Sequence, residues 1–288
     1  MNRLVSAGFS RLFNSLCFRV YIIFAVLYST TNIFSRYYDI ERMKSYSDTN
    51  MSAQSYTIDS GAFDCAMTMV FATAVFIGMF IGREYSDGTV RNKLTVGHSR
   101  GGLYLSNFII CAAANVMGIF AALTLTLGIG IPLIGTALTV QEILCFILTI
   151  LLASLAVTAV FTFISMLISS KSAQTAVLIL GSFIMLFVTI YINESLSAPE
   201  YYSEYVISTT IDGETVIEEG NQIKNPFYIT GNKRKVYEFF DEFLPVSQLY
   251  RTANSTQTDL TKCAIYDIII LIAVTEAGVL LFCKKDIK

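Results

Sequence analysis

Six stretches of about 20 or more apolar residues, almost free of charge, punctuate this chain, and each is long enough to cross roughly 30 Å of hydrocarbon at about 1.5 Å per residue. They run about Leu16–Phe34, Ala62–Ile81, Tyr104–Ile131, Ile143–Ile168, Ala173–Ile192 and Cys263–Cys283. Backbone groups in lipid find no water to bond, and an open sheet edge would leave them unsatisfied, so every stretch is expected to be a helix. Composition points the same way: 54% hydrophobic and 15% charged over 288 residues is far from the soluble average. The expected fold class is an all-α polytopic membrane protein with six transmembrane helices and a mixed α/β extracytoplasmic segment between the fifth and sixth. Gly128, Gly130 and Pro132 should loosen the outer end of the third span or break it into a turn.

Cys17, Cys65, Cys111, Cys145, Cys263 and Cys283 fall in or beside the apolar runs at irregular spacing. They read as small packing residues, with no disulfide framework and no zinc signature. Arg3, Arg11 and Arg19 are spread over a mixed N-terminal segment with no small-residue cleavage site behind an apolar core, so that segment reads as retained.

Lysine and arginine in short flanks set the orientation. Arg3, Arg11, Arg19, Arg83, Arg91, Lys93, Arg100, Lys171, Lys284, Lys285 and Lys288 all fall on one side, opposed by Glu84, Asp87 and Asp286 alone. Arg36, Arg42 and Lys44 on the other side are balanced by Asp39, Glu41, Asp48 and Asp59. Both termini are therefore expected in the cytosol. Residues 1–193 hold five spans, 194–262 form the outer segment, and 263–288 carry the sixth span and a cytosolic tail. Tyr28, Tyr37, Tyr38, Tyr191, Tyr201 and Tyr202 lie near the outer boundary, where amphipathic rings favour the interface.

The outer segment is too long for a plain connection. Alternation through Tyr205, Ile207, Thr209 and Ile211, then Asp212-Gly213 and Thr215 to Ile217, predicts a β-hairpin with a two-residue turn. Lys233–Leu244 predicts an amphipathic helix with Val236, Phe239, Phe240 and Phe243 on one face, lying on the outer leaflet or, the favoured reading, capping the protein's own helices.

Between the second and third spans, residues 82–100 hold the densest charge in any short cytosolic loop. Val90, Leu94 and Val96 give a short helix one apolar edge, Gly88 and Gly97 let the chain turn at each end, and Arg91, Lys93 and Arg100 offer charge to a partner. The plainer reading is a basic loop that retains topology and touches lipid phosphates.

Glu84, then Gly88-Thr89, Arg91, Leu94 and Ser99-Arg100, resembles the cytosolic loop of ABC-2 type transporter permeases. The likeness in residues covers 83–106, and the likeness in topology covers the whole chain. It implies that 83–106 is a coupling loop whose helix sits in a groove of a cytosolic ABC ATP-binding subunit, with Glu84 and Arg91 as the leading contacts. It also implies a second permease subunit, identical or different, and a multi-pass location in the plasma membrane of a bacterial cell. His98 stands where many members have proline, and the outer segment exceeds the short re-entrant helical hairpin of the family.

No Gly-x-x-x-x-Gly-Lys-Ser/Thr loop occurs, so ATP belongs to the partner, and no cofactor is expected on this chain. No His-Glu-x-x-His occurs, the one histidine is His98, and no paired aspartates lie at depth; catalytic and metal residues are not expected, and neither is nucleic acid as a partner. Asp64, Glu142 and Asp267 read as carboxylates at outer helix ends within reach of water. Glu276 lies about two turns from the cytosolic end, and either pairs inside the bundle or lines a polar path. Gly78 with Gly82, and Ala112, Ala113, Ala114 with Gly118, mark close helix approaches, first within one subunit. The expected function is a permease subunit of an ATP-driven exporter, with a peptide or peptide antibiotic as the weakly preferred substrate. The alternatives are a membrane-anchored sensor or immunity protein that binds a peptide through its outer segment, and a secondary carrier or channel.

Overall fold

The computed structural model describes residues 2–46, 63–204, 206–211, 214–255 and 259–286. Six of its helices are long and apolar enough to cross a membrane. The spanning helices are α2 (Leu16–Tyr46), α3 (Asp64–Ser86), α5 (Arg100–Leu125), α7 (Val140–Leu167), α8 (Lys171–Ser197) and α11 (Leu260–Lys284). Ala62, the expected start of the second span, lies outside the described residues.

Helix α3 is packed on nearly all sides, against α2, α5, α7 and α8, while α7 packs against α5 and α11. Thus α3, α5 and α7 form the interior and α2, α8 and α11 the periphery, whose outward faces carry exposed Leu27, Phe187 and Ile272. Close approach follows from small residues: a Cβ on Gly78 would stand 2.8 Å from the Thr175 Cα, so no other residue type lets α3 lie this near α8. Gly118 likewise sits directly under the Tyr21 ring. The interior is tied by polar groups as well. The Tyr21 hydroxyl donates to Asn115 Oδ1 at 3.1 Å, as does the Thr73 hydroxyl at 3.0 Å, and Asn115 Nδ2 donates to the Ser154 carbonyl at 3.2 Å. Each bond satisfies a group that lipid would leave unpaired.

The third span does not break at its glycines. It runs on through a π-helical turn at Thr126–Gly130 into α6 (Ile131–Ile134), with the buried Thr126 hydroxyl bonded to the Ala122 carbonyl at 3.0 Å. A wide turn leaves room for Pro132 to enter without a clash one turn back. Helix α1 (Asn2–Asn14) was not apparent from the mixed N-terminal sequence; Leu4 and Leu12 are buried, and Gly8 meets Ile110 of α5.

Beyond α8, strands β1 (Tyr201–Ser203) and β2 (Val206–Ile211) run antiparallel to β4 (Gln222–Lys224) and β3 (Glu214–Glu219), with Ile211 opposite Glu214. This is the expected hairpin, longer than anticipated; Tyr205 and the Asp212-Gly213 turn lie outside the described residues. Its base is pinched where the Asn225 N–H donates to the Glu200 carbonyl at 2.9 Å. Two helices follow, α9 (Gly231–Phe243) and α10 (Pro245–Ala253). Phe239 and Phe243 stack at 5.4 Å and both meet Tyr266 of α11 edge-on, whereas Val236 and Phe240 stay about half exposed, so the apolar face of α9 caps its own bundle with only part of its width. Helix α10 is buried throughout its core-facing side and packs on α3, α7 and α8.

Candidate functional site

The charged stretch folds at the bundle end that also carries α1 and the last turn of α11. Asp87 closes α3, Gly88 takes a left-handed φ of 66°, α4 spans Thr89–Thr95, and Gly97 turns the chain again at φ 95°. Only glycine adopts both turns without a steric cost. Ser99 then caps α5, its hydroxyl accepting from Gly102 N at 3.2 Å. The Thr89 hydroxyl donates to the Glu84 carbonyl at 3.1 Å and fixes how α4 leaves α3.

Glu84 departs from expectation. Its side chain is fully buried, so its carboxylate is no exposed docking contact. It pairs with both Arg11 of α1 and Lys93 of α4, and accepts a hydrogen bond from Asn107 of α5 at 2.8 Å. The Arg11 guanidinium in turn lies 3.9 Å over the Phe80 ring. Four elements therefore converge on one carboxylate. Burying an anion is tolerable only when it is paired and hydrogen-bonded, and both conditions are met here. Neither Arg11 nor Asn107 was singled out from the sequence. The available signals were the Leu4, Gly8, Leu12 stripe, which aims Arg11 inward, and an asparagine inside an otherwise apolar span.

Arg100 also turns inward, donating to the Lys285 carbonyl and, at 3.5 Å, to the Cys283 carbonyl. Lys285 reaches back, its ammonium donating to the Tyr85 hydroxyl at 3.2 Å and to the Met166 carbonyl at 3.1 Å, and it sits 4.4 Å above the Tyr85 ring. Burial pushes the Lys285 amine down to about 8. Val90 is buried and Leu94 half-buried against the bundle, but Val96, expected on the same edge, is 79% exposed. The outward face of α4 consists of Arg91, Asn92, Thr95 and Val96, and among the described residues Arg91 has no ion-pair partner. Beside this face a cavity of about 480 Å³ opens between α1 and α3, lined by Arg11, Asn14, Arg83 and Asp87 among others.

At the opposite end, Asp64 accepts from the Tyr28 hydroxyl at 2.7 Å, and Glu142 completes a capping box with Thr139 at the start of α7. Asp267 does not reach water as expected: it is 1% exposed, enclosed where α10 covers α11. Among the described residues Glu276 has no partner inside the bundle; it stands exposed on the outward face of α11, in line with Ile265, Ile269, Ile272 and Leu280. No group of histidine, cysteine, aspartate and glutamate able to hold a metal ion occurs among the described residues.

A family model described as ABC-2 family transporter protein matches residues 13–193. Comparison with curated proteins gives no match.

Proposed function

The chain belongs to the ABC-2 family of transporter proteins, and from that membership we propose that it is the permease subunit of an exporter whose ATP is hydrolysed by a separate cytosolic subunit. The observation that carries the proposal is the outward face of α4. A short helix held rigidly by Glu84 behind it presents an unpaired arginine, two polar residues and an exposed valine to whatever lies beyond the membrane. An apolar knob ringed by polar and cationic groups suits a shallow groove with an acidic rim. The basic flanks favour the cytosol for this end and for both termini, and the family likeness favours the plasma membrane of a bacterial cell. A second permease copy, identical or related, covers one of the apolar outer faces, lipid covers the remainder, and nucleotide-driven closure of two ATPases opens the route between the copies. The neutral interior and the large outer segment favour a peptide as cargo. Glu276, on an outward face at depth, faces either that second copy or the transported solute.

Arg91→Glu reverses the sign of the unpaired cation on this face without touching the bundle. The variant should insert normally and lose copurification with the ATP-binding subunit. Retention of the ATPase at wild-type yield would sink the docking assignment.

A further inference from the structure

A polar cavity and an apolar groove meet end to end along one side of α3. The cavity, described above beside α4, lies in the corner where α1 turns into α2, and Arg11, Cys17, Phe80 and Arg83 are among its walls. The groove, of about 360 Å³, runs on between α2 and α3 and is lined by Leu16, Val20, Phe24, Val75 and Met79 among others. Two contacts make them continuous. Cys17 lines both, and Phe80 of the cavity stacks on Phe76 of the groove with ring centroids 5.3 Å apart. Leu16, Phe24, Val75 and Met79 all stay exposed, so the groove is open along two spanning helices and not filled by the protein itself.

The polar end has an unmet demand. Nη1 of the Arg11 guanidinium is engaged by Glu84, whereas its Nε and Nη2 are enclosed and have no acceptor among the described residues. Arg83 is mostly exposed, and Asp87 reaches it only at 3.5 Å. With Lys93, which also holds Glu84, three cations stand here against the two carboxylates of Glu84 and Asp87. One negative charge would balance the cluster, and a guanidinium fork matches the oxygens of a phosphate. A free phosphate would serve the cavity and leave the groove empty. A phospholipid serves both, because its charged head and its acyl chain follow each other as the cavity and the groove do.

We propose that the α1–α2 corner and the adjoining groove bind one anionic phospholipid from the leaflet at the charged end. Its phosphate lies in the cavity with Arg11 and Arg83, and an acyl chain runs past Cys17 and Phe76 between α2 and α3. The lipid completes the charge cluster around Glu84 and so braces Lys93 and α4 from behind. The site depends on the spanning helices alone and not on ATPase docking.

Native mass spectrometry of the full chain, released from detergent after titration with phosphatidylglycerol or with phosphatidylethanolamine of the same acyl chains, provides the test. One phosphatidylglycerol per chain should be retained, and phosphatidylethanolamine should be held about fivefold more weakly, for the one net charge that it lacks. Arg83→Gln should weaken phosphatidylglycerol by about the same factor. Val75→Trp fills the groove without changing any charge and should abolish retention, whereas Ile272→Trp puts the same bulk on the outward face of α11 and should change nothing. Inorganic phosphate in large excess should not displace the lipid. The proposal fails if the two headgroups are held equally, if Arg83→Gln or Val75→Trp binds as wild type does, if Ile272→Trp removes the lipid, or if phosphate displaces it. It fails also if the wild type shows no lipid but a dimer that Val75→Trp breaks, which would assign the groove to a second copy. Should Val75→Trp fail to insert, the headgroup preference and the Arg83→Gln loss decide.

Discussion

Glu84 and Lys285 show how much of the α4 platform depends on single groups. Removing the Glu84 carboxylate leaves Arg11 and Lys93 partly buried without their shared anion and an Asn107 amide without its acceptor. Breaking such a buried pair costs about 3–5 kcal/mol, so Glu84→Ala should lower thermal stability in detergent far more than Arg91→Ala, whose side chain is free. A fluorescence melt of the two variants side by side reads the difference. Lys285 gives a pH signature. Its amine is depressed in the folded chain, so the unfolded chain binds more protons between about 8 and the ordinary lysine value. Stability should therefore rise as pH passes upward through about 8, and Lys285→Met should flatten that rise in the same melt. The charge density of residues 82–100 located this region in the sequence, and Arg91 does face outward. The inward turn of Glu84 was not legible, because its partners Arg11 and Asn107 lie far away in the chain, and only packing decides which helix face a glutamate occupies.

Among the elements, the spanning helices were readable because apolar length is a local property, and the hairpin because alternation and a two-residue turn are local as well. The π turn was half readable: the glycines and proline marked a disturbance, but whether a helix breaks or widens depends on neighbours such as Thr126 finding a backbone acceptor. Helix α10 escaped notice because its buried side includes Ser247, Gln248 and Thr252, which look like loop residues until their hydrogen bonds are known. The β-hairpin explains why the outer segment exceeds a plain helical hairpin. It makes its ladder with itself and joins the rest through Glu200 and Asn225, which are already bonded to each other. Excision of residues 201–224 should therefore leave insertion and the melting temperature near wild type. A collapse of either would show that the hairpin braces the bundle, and an intact fold with lost export would assign it to the cargo.

At the scale of the molecule, one end is knotted by charge and the other by hydrogen bonds and ion pairs around α10, Arg251 with Asp241 among them, with an apolar middle pinned at Tyr21, Thr73 and Asn115. The outward faces of α2, α8 and α11 are largely apolar, and Glu276 stands among the isoleucines of α11. The glycine pair Gly78 and Gly82 could be found in the sequence, and its use within one subunit is as expected; the partner helix was not legible, and it is α8, with Gly82 lying against Lys171 and Gln174. The knot at the charged end is closed by Lys285, whose ammonium holds Tyr85 and whose carbonyl holds Arg100, and it follows α11 in the chain, 200 residues after Tyr85. Synthesis on the ribosome therefore delivers the α4 platform early and its fastening last. A nascent chain whose α11 is still in the translocon has exposed α4 without tying its neighbours to Lys285, so the platform proposed to meet a motor subunit is fully fastened only after the sixth spanning helix has been made.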